Sequence, residues 1–341
     1  MRKALLSGSA LVGVALLMNS AAGAATYIPV VPPPGAASVT VFDINDSNII
    51  AGSFNDSAGV EHGFFGPLDG SNYTVLDIPE GTTGTEPRGI GNDGSITGLA
   101  KGSGFVIAQE FFRHPDGSYT ILHNPYRTFD GVAQGIDDQD GFVGDFYGDL
   151  GVRVGYKGID GQYKHRIKLP IVRTSTNPRD HSNNGLLGGG YNDQNNVQHA
   201  FAINNRQFKS YDYPDSGVQY TVIEGVNDKG QASGLWADSA SNRHGFVLDI
   251  ATDTWTLIDG GDGSTFQQVW GINNAGLVAV NTQQSGGYVS YIYCPKSKNQ
   301  CPSGGAAVKV HEVRTANSLH SGKGVRMGRN GPKPRLPGSI L

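Results

Sequence analysis

Along this chain a buried-type residue recurs between small or polar neighbours: Asp43-Ile44-Asn45, Gly89-Ile90-Gly91, Gly135-Ile136-Asp137, Asp180-His181-Ser182, Gly225-Val226-Asn227 and Gly271-Ile272-Asn273. Successive landmarks lie 46, 46, 45, 45 and 46 residues apart. A period of that size, with turn residues at fixed offsets, is the signature of a β-propeller or another repeat array in which each unit buries its faces against its neighbours. Apolar residues at the 3.6-residue spacing of a helix do not punctuate the repeats.

The second repeat shows the pattern most plainly. A short run, Pro87 to Ile90, meets the turn Gly91-Asn92-Asp93-Gly94 and is followed by Ser95 to Ala100. Further on, Ala108 to His114 and Ser118 to Leu122 flank Pro115-Asp116-Gly117. Two hairpins in one period predict four antiparallel strands, the unit of a propeller blade, and six units predict an all-β, six-bladed β-propeller. The stretch Tyr27-Ile28-Pro29-Val30-Val31 resembles the end of a unit, as in Tyr73 to Pro79. It is expected to supply the outermost strand of blade six, which ties the ends together and removes an open edge.

The turns Asn45-Asp46-Ser47-Asn48, Asp137 to Gly141, Asn227-Asp228-Lys229-Gly230 and Asn273-Asn274-Ala275-Gly276 are built from residues that tolerate positive φ. Their oxygens invite a calcium reading, but none carries the full acidic spacing of a calcium loop, so no metal site is assigned. No cofactor-binding loop is present either.

Composition supports the all-β reading, with 50 Gly and 17 Pro against 3 Met. Arg2 and Lys3 precede an apolar run and then Ala22-Gly23-Ala24, so residues 1–24 read as a signal peptide, and no later run is long enough for a membrane span. The two cysteines, Cys294 and Cys301, are close enough for a disulfide across a hairpin tip, as suits an exported protein. Closing so short a loop contributes about 2 to 3 kcal/mol, a local clamp. The chain carries a net −4, but residues 1–24 contribute +2 and residues 311–341 contribute +5, which leaves the repeats at about −11. An acidic domain is a poor partner for phosphate backbones, so nucleic acid is excluded as the expected ligand. Residues 26–310 thus form the repeat domain, and residues 311–341 read as a basic, disordered tail.

A second signature recurs on the third strand: Glu61-His62-Gly63-Phe64-Phe65, Gln198-His199-Ala200-Phe201 and Arg243-His244-Gly245-Phe246. Together with the Gly-Ile-Asn landmark, it resembles the bacterial extracellular repeat family named for its His-Ala-Phe motif, over roughly residues 26 to 295. The resemblance implies a secreted, propeller-like protein and assigns no activity. Repeats two, three and six lack the histidine there. Each signature histidine has an aspartate six residues earlier, Asp56, Asp193 and Asp238. A His–Asp pair is acid–base equipment, but three equivalent copies suit a structural bracket better. No Gly-x-Ser-x-Gly elbow supplies a nucleophile.

What the fold demands should recur, and what chemistry demands should appear as an exception. Repeat four places His181 where the others have Ile or Val. Two residues before each landmark stand Phe42, Arg88, Gln134, Arg179, Glu224 and Trp270, a set no packing rule selects. If the landmark strands are innermost, these six ring one mouth of the central channel, where Arg88, Gln134, Arg179, Glu224 and Trp270 would bind a sugar or uronate. The leading expectation is therefore a secreted or periplasmic propeller that binds or scaffolds at the cell envelope, with extracellular polysaccharide or an envelope protein as partner. The alternative is a polysaccharide lyase or hydrolase, with His181 or Tyr163 as acid–base and Arg88 and Arg179 neutralising a uronate. That enzyme requires His181, Arg179 and Arg88 to converge on one pocket.

Overall fold

Turns fold each repeat back on itself three times, and the computed structural model shows the resulting strands over residues 25–302, apart from 81–82, 103–107, 123–128, 149–150, 172, 259–267, 285–286 and 297–299. The expected signal peptide and basic tail lie outside these described residues. A short strand, β1 (Thr26–Pro29), comes first. Blade one is β2 (Ala36–Ile44), β3 (Ile49–Asp56), β4 (Glu61–Pro67) and β5 (Thr74–Leu76). Blade two is β6 (Gly84–Ile90), β7 (Ile96–Lys101), β8 (Ala108–Arg113) and β9 (Tyr119–Ile121). Blade three is β10 (Phe129–Ile136), β11 (Gly141–Tyr147), β12 (Arg153–Ile159) and β13 (Gln162–Arg166). Blade four is β14 (Ser175–His181), β15 (Leu187–Asn192), β16 (Gln198–Asn204) and β17 (Gln207–Tyr211). Blade five is β18 (Tyr220–Val226), β19 (Gln231–Ala237), β20 (Arg243–Asp249) and β21 (Thr254–Ile258). Blade six is β22 (Gln268–Ile272), β23 (Val278–Gln284) and β24 (Gly287–Cys294), completed by β1.

The fold is a six-bladed β-propeller of four-stranded antiparallel sheets. β1 pairs with β24, Thr26 opposite Cys294 and Pro29 opposite Tyr291, so the chain's first strand closes its last blade. Cys294 is bonded to Cys301 just beyond that seam. No helix among the described residues is long and apolar enough to cross a membrane.

The third strand explains the His-x-Phe signature. Phe64, Phe111, Phe201 and Phe246 are fully buried between blades, and truncating such a ring to alanine costs about 3 to 5 kcal/mol. The histidines stand at the strand's solvent end and are bracketed by carboxylates. His62 meets Asp77 at 2.9 Å and Asp56 at 3.6 Å, His199 meets Asp212 at 2.8 Å and Asp193 at 3.8 Å, and His244 meets Asp238 at 3.2 Å. Each imidazole also stacks on an aromatic of the second strand, Phe54, Tyr191 or Trp236. The device staples the strands of a blade, in three copies.

Every innermost strand carries a β-bulge at the same place. The pairing slips between Val41 and Asp43, Pro87 and Gly89, Ala133 and Ile136, Pro178 and Asp180, Ile223 and Gly225, and Val269 and Ile272. The bulged residues include Phe42, Arg88, Gln134, Arg179, Glu224 and Trp270, the set two before each landmark. A bulge re-aims the side chain it releases from the ladder. The second strand must accommodate it: a Cβ at Gly98 would lie 2.1 Å from the Glu86 carbonyl, and one at Gly234 2.1 Å from that of Val222.

Candidate functional site

The two ends of the channel are built differently. At the turn end, the residues two after each landmark are Asp46, Asn92, Asp138, Asn183, Asp228 and Asn274, a strict alternation of carboxylate and carboxamide. Asn92 donates its side-chain amide to Asp46 (3.2 Å) and Asp138 (2.8 Å), Asn183 to Asp138 (2.8 Å) and Asp228 (3.0 Å), and Asn274 to Asp228 (2.9 Å) and Asp46 (2.7 Å). Each asparagine carbonyl accepts a backbone N–H from a neighbouring Asp46, Asp138 or Asp228. The circuit closes through all six blades. In it the aspartate oxygens only accept, and each amide nitrogen donates twice.

This ring and the landmarks Ile44, Ile90, Ile136, His181, Val226 and Ile272 together line an open cavity of about 60 Å³. Asp43 and Asp180, three blades apart, stand where other repeats have glycine. Asp43 accepts the N–H of Ile44 (2.8 Å) and of Ile90 in the next blade (2.9 Å); Asp180 does the same with His181 and Val226, both at 2.8 Å. Their carboxylates fit because Gly271 and Gly135 face them, where a Cβ would lie 1.9 Å away. Burial pushes Asp43 up to about 6 and Asp180 well above the carboxylate range, with Asp43's charge adding to the rise at Asp180. His181 Nε2 pairs with Asp137 at 2.8 Å. Burial opposes ionisation of Asp137, but His181 and two backbone N–H groups together hold it below its ordinary value. No three His, Cys, Asp or Glu among the described residues are grouped to hold a metal.

Two residues before the landmarks, further along the channel, bulged residues of blades six, one and two meet. The Arg88 guanidinium of blade two lies 4.1 Å from the ring centre of Phe42 in blade one and 5.0 Å from that of Trp270 in blade six. Phe42 and Trp270 meet edge to face at 5.1 Å, and the Trp270 indole N–H donates to Gln268 at 3.1 Å. Phe42, Arg88 and Trp270 line a cleft of about 270 Å³ with Glu61, Glu86 and Tyr288. β2 gives Ser38, Thr40 and Phe42 to this cleft and Asp43 and Ile44 to the turn-end cavity, so the two sites occupy successive stretches of one strand.

The cleft's charges are internally matched. Arg88 pairs with Glu86, and Lys101 pairs with both Glu86 and Glu61, the latter at 2.7 Å. Ser53 donates to Glu61 at 2.9 Å. Burial pushes Glu86 up, but Arg88 and Lys101 outweigh it and hold the group at about 2. Burial and the charge of Glu86 raise Glu61. Burial works against the Lys101 charge, yet its two carboxylates leave its pKa raised. On the far side of the axis Arg179 and Glu224 form an ion pair at 3.2 Å whose geometry falls short of a hydrogen bond. Burial raises Glu224, opposed by Arg179 and then Arg88.

The expected sugar-binding set is thus divided. Arg88 and Trp270 share the cleft with Phe42, Arg179 and Glu224 pair with each other, and Gln134 is buried, its backbone carbonyl accepting from the Thr97 hydroxyl. The convergence that this enzyme reading requires is not present: His181 lines the turn-end cavity, paired to Asp137, while Arg88 lines the cleft. Tyr163 belongs to neither. It sits on β13, the outermost strand of blade three, with its ring 4.9 Å from that of Tyr156. Spacing did not reveal Glu61, Glu86, Lys101 and Tyr288 as cleft residues. The alternation at the turn tips was readable in the sequence, because it keeps the repeat period.

No protein-family model matches the chain, and no curated protein matches it in sequence. Solved structures with a similar fold include TolB from Acinetobacter baumannii, 12% identical over 72% of this chain and 64% of that one, with a TM-score of 0.49. They also include AofleA from Arthrobotrys oligospora, 10% identical over 76% of this chain and 84% of that one, TM-score 0.49. A third is a lectin of Aleuria aurantia described as a six-bladed β-propeller with a novel fucose recognition mode, 11% identical over 81% of this chain and 100% of that one, TM-score 0.46. At these identities the likeness is one of fold.

Proposed function

We propose that this protein is an exported carbohydrate-binding propeller, working in the periplasm or outside the cell, and that it holds a neutral sugar in the cleft formed by blades six, one and two. One observation carries the reading: the bulges that break the inner-strand ladder bring Trp270, Phe42 and Arg88 together from three blades. Aromatic faces beside planar polar groups suit a pyranose, whose C–H face stacks while its hydroxyls hydrogen-bond. The matched charges favour a neutral sugar over a uronate, because Arg88 already has Glu86 and Arg179 already has Glu224. Export is supported by the leader-like residues 1–24 and by the Cys294–Cys301 disulfide.

The test is a titration of the purified protein with neutral and acidic glycans, followed by intrinsic tryptophan emission, with Trp270→Ala beside the wild type. Saturable binding of a neutral glycan that weakens at least tenfold in the variant supports the reading. Binding confined to acidic glycans, or binding indifferent to Trp270, overturns it.

A further inference from the structure

A second cleft, of about 370 Å³, lies beside the first and is lined by Thr83, Leu99, Lys101, Ala108, Val132, Tyr147 and Arg153, from blades two and three. Asn55, Lys101 and Tyr147 are spaced 46 residues apart and hold equivalent places at the ends of β3, β7 and β11, so they follow one another across one face of the ring. Asn55 lines the first cleft and Tyr147 the second. Lys101 stands between, lining the second while its ammonium bonds Glu61 and Glu86 of the first.

We infer that the two clefts are consecutive subsites of one groove, and that the ligand is a linear neutral oligosaccharide running from Trp270 past Lys101 to Tyr147. This rests on the carbohydrate reading of the first cleft and extends it. Each subsite has an aromatic face next to a guanidinium: Arg88 over Phe42 and Trp270 in one, and Arg153 at 4.5 Å over Tyr147 in the other. Each guanidinium is also paired with a carboxylate, Glu86 or the fully buried Asp145, and Lys101 is shared between two. The cations are thereby fixed and balanced, and offer N–H donors without a net field for an anionic chain. A ligand that repeats one chemistry from unit to unit matches a surface that does the same.

Full-length protein would be titrated calorimetrically with gluco-, manno- and chito-oligosaccharides of one to eight units. Trp270→Ala would probe the first subsite, and Tyr147→Ala and Ala108→Trp the second; thermal melts would confirm that each variant is folded. The expected result is affinity that rises tenfold or more between two and six units. Either second-subsite variant should remove that rise, while Trp270→Ala weakens every length. Affinity that levels off by two units and ignores Ala108→Trp would overturn the extended groove and leave the first cleft standing. No binding at any length would overturn the carbohydrate reading itself.

Discussion

Two residues after each landmark the chain reads Asp, Asn, Asp, Asn, Asp, Asn; two residues before, it reads Phe, Arg, Gln, Arg, Glu, Trp. The first set rims one end of the channel with a ring of hydrogen bonds between blades. The second is thrown out of the ladder by six bulges and includes three side chains that make a cleft. Each set supplies one residue per blade at a constant offset, the first from the turn after the inner strand and the second from that strand's bulge, so the repeat geometry does not decide which residue stands there. What separates them is regularity. A position whose partner is the same position in the next blade must keep a rule, whereas one aimed at a ligand is released from it.

The sharpest way to break the comparison is to spoil the rule at the turn end. Asn92→Asp would set a carboxylate between Asp46 and Asp138 and remove both of its side-chain donations, at an expected cost of about 1 to 3 kcal/mol, part of it recovered at high salt. A lowered melting temperature with glycan binding intact is the expected outcome, read by calorimetry with and without salt.

At the cleft the pattern should invert. Trp270→Ala removes a half-buried indole that packs on Phe42 and Arg88, so ligand affinity should fall at least tenfold, about 1.4 kcal/mol or more, with a smaller change in melting temperature. An unchanged affinity would move the site elsewhere.

The pH dependence sharpens the contrast between structural and functional polar groups. Burial pushes Glu110 up to about 8, with Tyr156 donating to it at 2.7 Å across the interface of blades two and three. A carboxyl raised from the ordinary 4.5 is bound to its proton more tightly in the folded state, so its contribution is complete below about 4.5 and is lost as pH rises through about 8. Glu110→Gln keeps an oxygen for Tyr156 and should melt progressively higher than the wild type as pH climbs through that window. His62 has the opposite chemistry but the same sign: its hydrogen bond to Asp77 is the largest cause of a raised pKa, opposed by partial burial. His62→Gln should therefore melt lower than the wild type below the imidazole's ordinary 6.5, and that deficit should shrink as pH rises above it.

The smallest effect is expected at His181. His181→Ile restores the landmark rule and leaves Asp137 with its two backbone donors, so glycan affinity should be unchanged while stability shifts by about 1 kcal/mol. Loss of a measurable activity in that variant would revive the enzyme reading.

Much of the architecture was legible because repeats constrain themselves. The landmarks fix the blade count, and Tyr27 to Val31 resembles a blade's end closely enough to predict the closure that Thr26 to Pro29 makes with β24. The three His–Asp brackets followed from a constant six-residue offset. Asp77 and Asp212, their second partners, did not, because they lie on or after the fourth strand at offsets of 15 and 13 residues. Composition could not show that Arg88 is held by Glu86, or that Lys101 of the neighbouring strand completes the cluster, since those contacts depend on the bulge. Tyr163 looked like an acid–base candidate only because sequence does not reveal distance from the axis; the outermost strand places it among the rings of blade three.

The central claim is that three of the irregular positions, Phe42, Arg88 and Trp270, bind the ligand while the regular ones hold the fold. Its most direct test is an alanine scan of all twelve, the six before and the six after the landmarks, with melting temperature and glycan affinity measured on each variant. The account predicts that Phe42, Arg88 and Trp270 lose affinity with modest loss of stability. It predicts that the Asp and Asn variants lose stability and keep affinity. Equal loss of affinity in both sets, or loss confined to the Asp–Asn ring, would contradict it.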